Sequence, residues 1–347
     1  MNIYVGLSGG VDSSVAAALL QHQGHDVTGV YMKNWTEDLP GMKCPWQDDL
    51  RDARAVAATL NIPFKVFDFE AEYRSQVVDY MIAEYQAGRT PNPDVMCNQE
   101  IKFKLFLDAA LADGAEAIAT GHYAHIDAGQ LLRAEDDNKD QTYFLYRITS
   151  EALQKTVMPI GDYTKPEVRK LAADFGLPTA TKKDSQGICF VGPVGMKAFL
   201  KQYVAADPGP IMLHGQRIGT HEGTVFYTIG QRQGLGVGGG KPYYVIGKDM
   251  AANTVFVTDD SADLDLQTDQ IQLRDMHWIG DAPDSSITLK ARFRHRGELV
   301  ECQLKEDLLV LAHTVSAIAA GQSAVIYKDA VCLGGGIISA SVAHAVR

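Results

Sequence analysis

Apolar positions along the first two hundred residues switch repeatedly between a short-strand pattern and a helical one. Residues 3–7 form a brief apolar run that predicts a buried strand, and residues 14–23, rich in alanine and leucine, predict a helix. Residues 26–32 predict a second strand, 48–60 a helix and 64–67 a third strand. Further on, Phe103, Phe106, Leu107, Ala110 and Leu111 fall at i, i+3, i+4, i+7 and i+8, which predicts one apolar helical face. Val168, Leu171, Ala172 and Phe175 repeat that spacing, and Gly176 and Pro178 supply stop signals. Such alternation implies an α/β fold with a mostly parallel sheet covered on both faces.

The texture changes after Asp207-Pro208-Gly209-Pro210. Glycines gather from Gly209 to Gly247, helical spacing vanishes, and short β-like runs stand at 224–229 and 242–246. From Ile271 onward the pattern is β throughout. Ile287, Leu289, Ala291 and Phe293 alternate with Thr288, Lys290, Arg292 and Arg294, and Val300, Cys302 and Leu304 alternate in the same way. Three domains are expected: 1–205, 206–268 and 269–347, the last all-β and barrel-like.

Composition narrows the function classes. In 347 residues, 43 acids against 32 bases give a net charge of −11, which opposes a generally basic nucleic-acid coat but permits a local basic path. None of the five cysteines forms a C-x-x-C pair, so a disulfide-stapled scaffold and a zinc ribbon are poor readings. The ten histidines show no metal-ligand spacing, and no tightly bound metal is expected. No signal-type leader opens the chain, and no run approaches the roughly 18 apolar residues of a membrane span. The expectation is a soluble, cytoplasmic protein with no membrane partner.

The most informative stretch is Gly6-Leu7-Ser8-Gly9-Gly10-Val11-Asp12-Ser13-Ser14, between the first strand and the first helix. Glycines let the backbone turn tightly and approach a ligand, and free N–H groups at a helix start attract phosphate. Ser8 and Ser13 add hydroxyl donors, and Asp12 is suited either to magnesium or to orienting the loop. A plain capped turn would look similar in isolation, but this one stands at the first strand–helix junction of an α/β pattern. It lacks the lysine of a Walker A loop. It resembles the loop of the N-type ATP pyrophosphatases, which implies adenylation of an oxygen by ATP and leaves the acceptor open.

Two cysteines stand apart from the rest. Cys97 follows Thr90-Pro91-Asn92-Pro93-Asp94-Val95-Met96 and directly precedes a helix, a position that lowers a thiol pKa. Cys189 lies in the polar stretch Lys182-Lys183-Asp184-Ser185-Gln186-Gly187-Ile188-Cys189-Phe190, where the lysines favour a thiolate. Cys302 and Cys332 suit small buried hydrophobes, and Cys44 carries no assigned role. Adenylation combined with two loop thiols suggests sulfur transfer: AMP makes a carbonyl oxygen displaceable, and a persulfide attacks the activated carbon.

These segments together resemble the bacterial tRNA-specific 2-thiouridylase (MnmA) family. The resemblance rests on residues 6–13, the Thr-Pro-Asn-Pro-Asp-x-x-Cys-Asn segment ending at Asn98, Thr120-Gly121-His122-Tyr123-Ala124, Lys139-Asp140-Gln141, residues 185–190 and residues 228–236. Gln186 departs from the threonine expected there. The resemblance implies a Rossmann-like pyrophosphatase domain, a small central domain and an RNA-contacting barrel. It implies ATP, with magnesium, at Gly6, Leu7, Ser8, Gly9, Gly10, Val11, Asp12, Ser13, Met32 and Gly121. Cys97 would be the nucleophile and Cys189 the persulfide carrier, linked in one state by a disulfide. Asn92, Pro93 and Asp94 would meet the target base, with Asp94 a candidate for proton transfer. Lys139, Asp140, Gln141, His122, Arg294, His295 and Gln322 would contact tRNA. The partners implied are a tRNA with a wobble uridine and a sulfur donor, either a cysteine desulfurase or a sulfur-relay protein.

A path for RNA phosphates is visible in Lys290, Arg292, Arg294 and Arg296, the first three on one polar strand face, with Lys165, Arg169, Lys170, Lys182 and Lys183 as an extension. Modification of a stacked anticodon base would need that base flipped out. Two other readings of the loop remain open at this level: an amidating ligase or other AMP-forming synthetase, and a non-catalytic ATP- or RNA-binding module.

Overall fold

The computed structural model describes residues 1–38, 44–183, 195–238, 240–284 and 287–341. Its first unit is a five-stranded parallel sheet in the order β3-β2-β1-β4-β7, formed by β1 (Asn2–Gly6), β2 (Asp26–Lys33), β3 (Phe64–Asp68), β4 (Ala117–Ala119) and β7 (Thr156–Val157). Strand periodicity divides the core between the two faces. Ile3, Val5 and Leu7 pack with Val15, Leu19 and Val168 on one side, whereas Tyr4 joins Val30, Phe106 and Ile118 on the other. Helices Val11–His22, Trp46–Leu60 and Lys165–Asp174 supply residues to the first cluster. A long helical segment, Glu70–Tyr73 through Arg74–Val78 to Asp79–Gln86, supplies the second, together with Pro93–Met96, Cys97–Phe106 and Leu107–Ala112.

Cys97–Phe106 is π-helical, wider than the α-helix that its apolar spacing predicts. Leu111, expected on the apolar face, is 36% exposed, whereas Phe106, Leu107 and Ala110 lie in the core.

The second unit is a four-stranded sheet, β10-β11-β8-β9, from β8 (Gly209–Leu213), β9 (Gln216–His221), β10 (Tyr244–Asp249) and β11 (Thr254–Thr258). The β-like run expected at 224–229 is a 3₁₀ turn at Thr224–Phe226, where the Thr224 backbone and hydroxyl turn to the Asn253 side chain instead of a neighbouring strand.

The third unit is a six-stranded antiparallel barrel of β12 (Gln267–Trp278), β13 (Leu289–Arg292), β14 (Val300–Lys305), β15 (Leu308–Ser316), β16 (Ser323–Lys328) and β17 (Val331–Ser341). Pairing of β12 with β17 closes the ring and removes its open edges. A hairpin from the first unit, β5 (Ala124–Asp127) and β6 (Gln130–Arg133), adds to the barrel sheet through Leu131 and Leu132 opposite Cys332 and Val331. The chain leaving β4 therefore runs directly from the parallel sheet into the barrel.

Candidate active site

In an open parallel sheet, ligands bind beyond the carboxyl ends of the strands where the strand order reverses. Here the reversal lies between β1 and β4. The loops that follow these strands carry Ser8 to Gly10 and Thr120 to Tyr123, so topology alone brings two sequence-selected segments together. The contact is close. A Cβ on Gly121 would stand 2.5 Å from the Ser13 nitrogen, and one on Gly9, whose φ is +74°, 2.4 Å from the Asp49 oxygen. Met32 abuts Gly6, where its methyl lies 2.9 Å from a Cβ position. Leu7 and Val11 point into the core, so only their backbone is available to a ligand.

The loop is internally braced. The Ser8 amide donates to Ser13 Oγ at 3.2 Å, Ser14 Oγ donates to the Gly10 carbonyl at 2.7 Å, and Thr179 donates to Ser14 Oγ at 3.0 Å. Asp12 Oδ1 accepts from Tyr123 OH at 2.9 Å and from Lys165 Nζ at 2.6 Å. Gln141 holds Tyr123 in turn, its Oε1 accepting from the Tyr123 amide at 2.8 Å.

Cys97 begins the π-helical segment and is 3% exposed. Asn92 caps the preceding turn, its side chain accepting from the Asp94 amide at 3.2 Å, and Pro93 occupies the first turn. Burial raises the Asp94 carboxyl above its ordinary range, with Lys102 pulling the other way. Lys102 also stands 3.4 Å from His122 Nε2, while His122 Nδ1 bonds Thr120 Oγ1 at 2.8 Å. Since Lys102 only donates, Nε2 is the acceptor and Nδ1 carries the proton. Burial, then the Lys102 charge, hold His122 well below its ordinary pKa, so it is neutral near pH 7. Gly121 packs on the Ser13 backbone, its neighbour His122 stands beside Lys102, and Lys102 lies on the same helical segment as Cys97, which relates that segment to the glycine loop.

The segments expected to contact RNA are less uniform. Arg294 is exposed and His295 half-buried, its ring 4.8 Å from that of Phe144. Lys139 is half-buried. Arg292 departs from its expected place on a solvated face. It is 5% exposed, and its guanidinium donates to Asp140 at 2.9 Å. β13 ends at this residue and a carboxylate from the first unit covers it. Asp140 itself is 1% exposed, its Oδ1 accepting from the Thr142 hydroxyl at 2.8 Å. The lysine extension is also partly spent: Lys165 pairs with Asp12, and Lys182 with Asp49 and Asp52 at 2.8 and 2.7 Å. Gln322 turns its amide toward the Thr90 carbonyl at 2.7 Å. Cys189 lies outside the described residues.

Comparison with known proteins matches residues 1–193 to the tRNA methyl transferase HUP domain, 197–259 to the tRNA methyl transferase PRC-barrel domain and 268–338 to the aminomethyltransferase beta-barrel domain. The tRNA-specific 2-thiouridylase MnmA of Nitrosomonas eutropha is 49% identical over 98% of this chain and 99% of its own length. Those of Streptococcus agalactiae and Bordetella pertussis are each 46% identical over 97% of this chain, and over 95% and 97% of their own lengths. The chain belongs to the MnmA family.

Within this MnmA-family chain, the motif reading gave Lys102, which stands beside His122, no role, named Tyr123 only as part of the 120–124 segment and placed Lys165 on the phosphate path, whereas Tyr123 and Lys165 meet on Asp12. A local signal existed for Lys102, which sits five positions after Cys97 on the same helical stretch. Lys165 lies 153 positions from its partner and left no local trace. Cys302 and Cys332 are buried, as expected of small hydrophobes at their positions, and burial pushes the Cys302 thiol up to about 12. Cys44 is buried in the large core cluster. Among the described residues no three His, Cys, Asp or Glu gather to hold a metal, and no helix is long and apolar enough to cross a membrane.

Proposed function

We propose that this chain converts the wobble uridine of tRNA to 2-thiouridine, using ATP to activate the C2 oxygen and a cysteine persulfide to replace it. The observation that carries the reading is the packing of Gly121 on the glycine loop beside His122, whose neighbour Lys102 lies on the same helical segment as Cys97. A nucleotide at the loop and a base near Cys97 would then be neighbours.

Each residue has a definable task. Backbone N–H groups of the glycine loop and the start of helix Val11–His22 cradle the nucleotide's phosphates. Lys165 and Tyr123 hold Asp12 through one carboxylate oxygen. Magnesium would fit as an ion carried largely by the phosphates, with Asp12 as a carboxylate at the loop able to help hold it, and when bound it would offset phosphate charge. Uridine O2 attacks the α-phosphorus and pyrophosphate departs, so that O2 later leaves as part of AMP. Neutral His122, fixed by Thr120 and Lys102, borders this point without adding positive charge. Asp94, with its raised carboxyl, is placed by chemistry to manage the proton of the uridine ring.

Sulfur arrives as a persulfide on Cys189, loaded by a desulfurase or relay protein. Cys97 closes the balance by forming a disulfide with Cys189 as the outer sulfur leaves, and an external thiol restores both. The test is nucleoside mass spectrometry of tRNA after incubation with the protein, ATP and a persulfide source. We expect ATP-dependent 2-thiouridine, lost by more than about 100-fold in Cys97→Ser. Full activity in Cys97→Ser would remove this mechanism.

A further inference from the structure

We infer that Thr228 of the central unit and the 320–322 turn of the barrel form a clamp on Thr90 that positions Asp94 and Cys97. The inference rests on the proposed function for its consequence, but its geometry stands independently. Three units meet at one residue. The Thr90 amide donates to the Ala320 carbonyl at 2.8 Å, and its hydroxyl lies 3.0 Å from that of Thr228. Gln322 Nε2 donates to the Thr90 carbonyl at 2.7 Å and reaches the Pro91 carbonyl at 3.4 Å. Gly321 presses so closely that a Cβ there would stand 2.8 Å from the Thr90 nitrogen, and its φ of +92° suits only glycine.

Both jaws are themselves anchored. The Gly321 amide donates to Ile338 on β17, and Gln231 accepts from the Thr228 amide at 3.1 Å. Just upstream, Arg89 forks onto both oxygens of buried Glu84 at 2.6 and 2.7 Å, and the barrel's Arg274 meets one of them at 2.8 Å.

Between Thr90 and Cys97 the chain has little give. Pro91 and Pro93 fix their φ angles, and the Asn92 cap ties the loop to the turn it starts. A displacement at Thr90 is therefore transmitted to Asp94 and Cys97 and not absorbed. Thr228 and Gln322 are positioning residues: they act on the reaction through the 90–97 segment, and Gln322 does so whether or not it also meets RNA.

The test is the alkylation rate of Cys97 in reduced protein without ATP or tRNA, resolved by peptide mass spectrometry, alongside kcat and tRNA KM. Because alkylation needs no thiolation activity, failure of the clamp and failure of the functional reading are distinguishable. Gln322→Ala and Thr228→Val should each alkylate about fivefold faster at Cys97, as expected when a hydrogen bond holding a buried segment is lost. The kcat of both should fall, tRNA KM in Thr228→Val should move less than about twofold, and Thr228→Ser should restore both readouts. Unchanged alkylation in Thr228→Val, which preserves shape, or a Gln322→Ala effect confined to tRNA KM, would overturn the clamp.

Discussion

Asp94 and Glu84 show how burial acts on a carboxylate with and without strong partners. At Asp94 burial raises the carboxyl, and the Lys102 charge only moderates it. A raised folded-state pKa means that the fold holds the proton more tightly than the open chain does. Its contribution to stability is full below the ordinary value of 3.8 and is lost as pH rises through the folded-state value. At pH 7 the residue is a net cost, retained for what it does. Asp94→Asn should therefore melt about 2 °C higher than the parent at pH 7. The difference should shrink toward pH 4, while thiolation falls by about 100-fold. Thermal melts at the two pH values check the sign. Glu84 runs the other way: burial would raise it, but Arg89 and Arg274 outweigh that and hold it below 4.5. Its stabilisation is present above that value and is lost on acidification.

The glycine loop and the 120–123 loop belong to the scale of elements, since neither is a site without the other. Gly121 has no room for a side chain, because the atoms a Cβ would strike, the Ser13 nitrogen and the Asp12 carbonyl carbon, are backbone. Gly121→Ala should force the start of helix Val11–His22 away from β4 and raise the ATP KM by about tenfold or more, with tRNA KM little changed. An unaltered ATP KM would place the 120–123 loop outside the nucleotide crevice. The glycine loop was legible because its signals are local: an apolar strand, a turn-forming run and a helix start in consecutive positions. The same locality made the parallel sheet and the alternating barrel strands readable. It failed wherever a distant group overrides the period. Arg292 obeys the alternation in sequence yet is buried by Asp140, 152 positions away. Leu111 follows the apolar spacing yet stands 36% exposed. Tyr123 and Lys165 converge on Asp12 from 111 and 153 positions away, so only the folded topology reveals them.

At the scale of the whole molecule, the β5–β6 hairpin makes the first unit and the barrel share one sheet, and a buried charge cluster lies at the seam. Asp140 accepts from Arg292 at 2.9 Å and from Arg133 at 3.4 Å, while Thr142 bridges toward Tyr327 OH at 3.1 Å. Both charges of the tighter pair are withdrawn from water, at 1% and 5% exposure. Removing one partner strands the other, whereas removing both deletes the desolvation cost together with the attraction. Asp140→Asn or Arg292→Met alone should destabilise the barrel's docking by about 3 kcal/mol in urea unfolding without RNA, and the double variant should recover about 2 kcal/mol of that loss. A purely RNA-contacting Asp140 would instead leave RNA-free unfolding at its parental midpoint and change only tRNA binding. Additive losses in the double variant would show that the two charges do not couple. Coupling would identify the pair as the fastener that keeps the barrel's exposed Arg294 in fixed register with the Lys139 segment of the first unit.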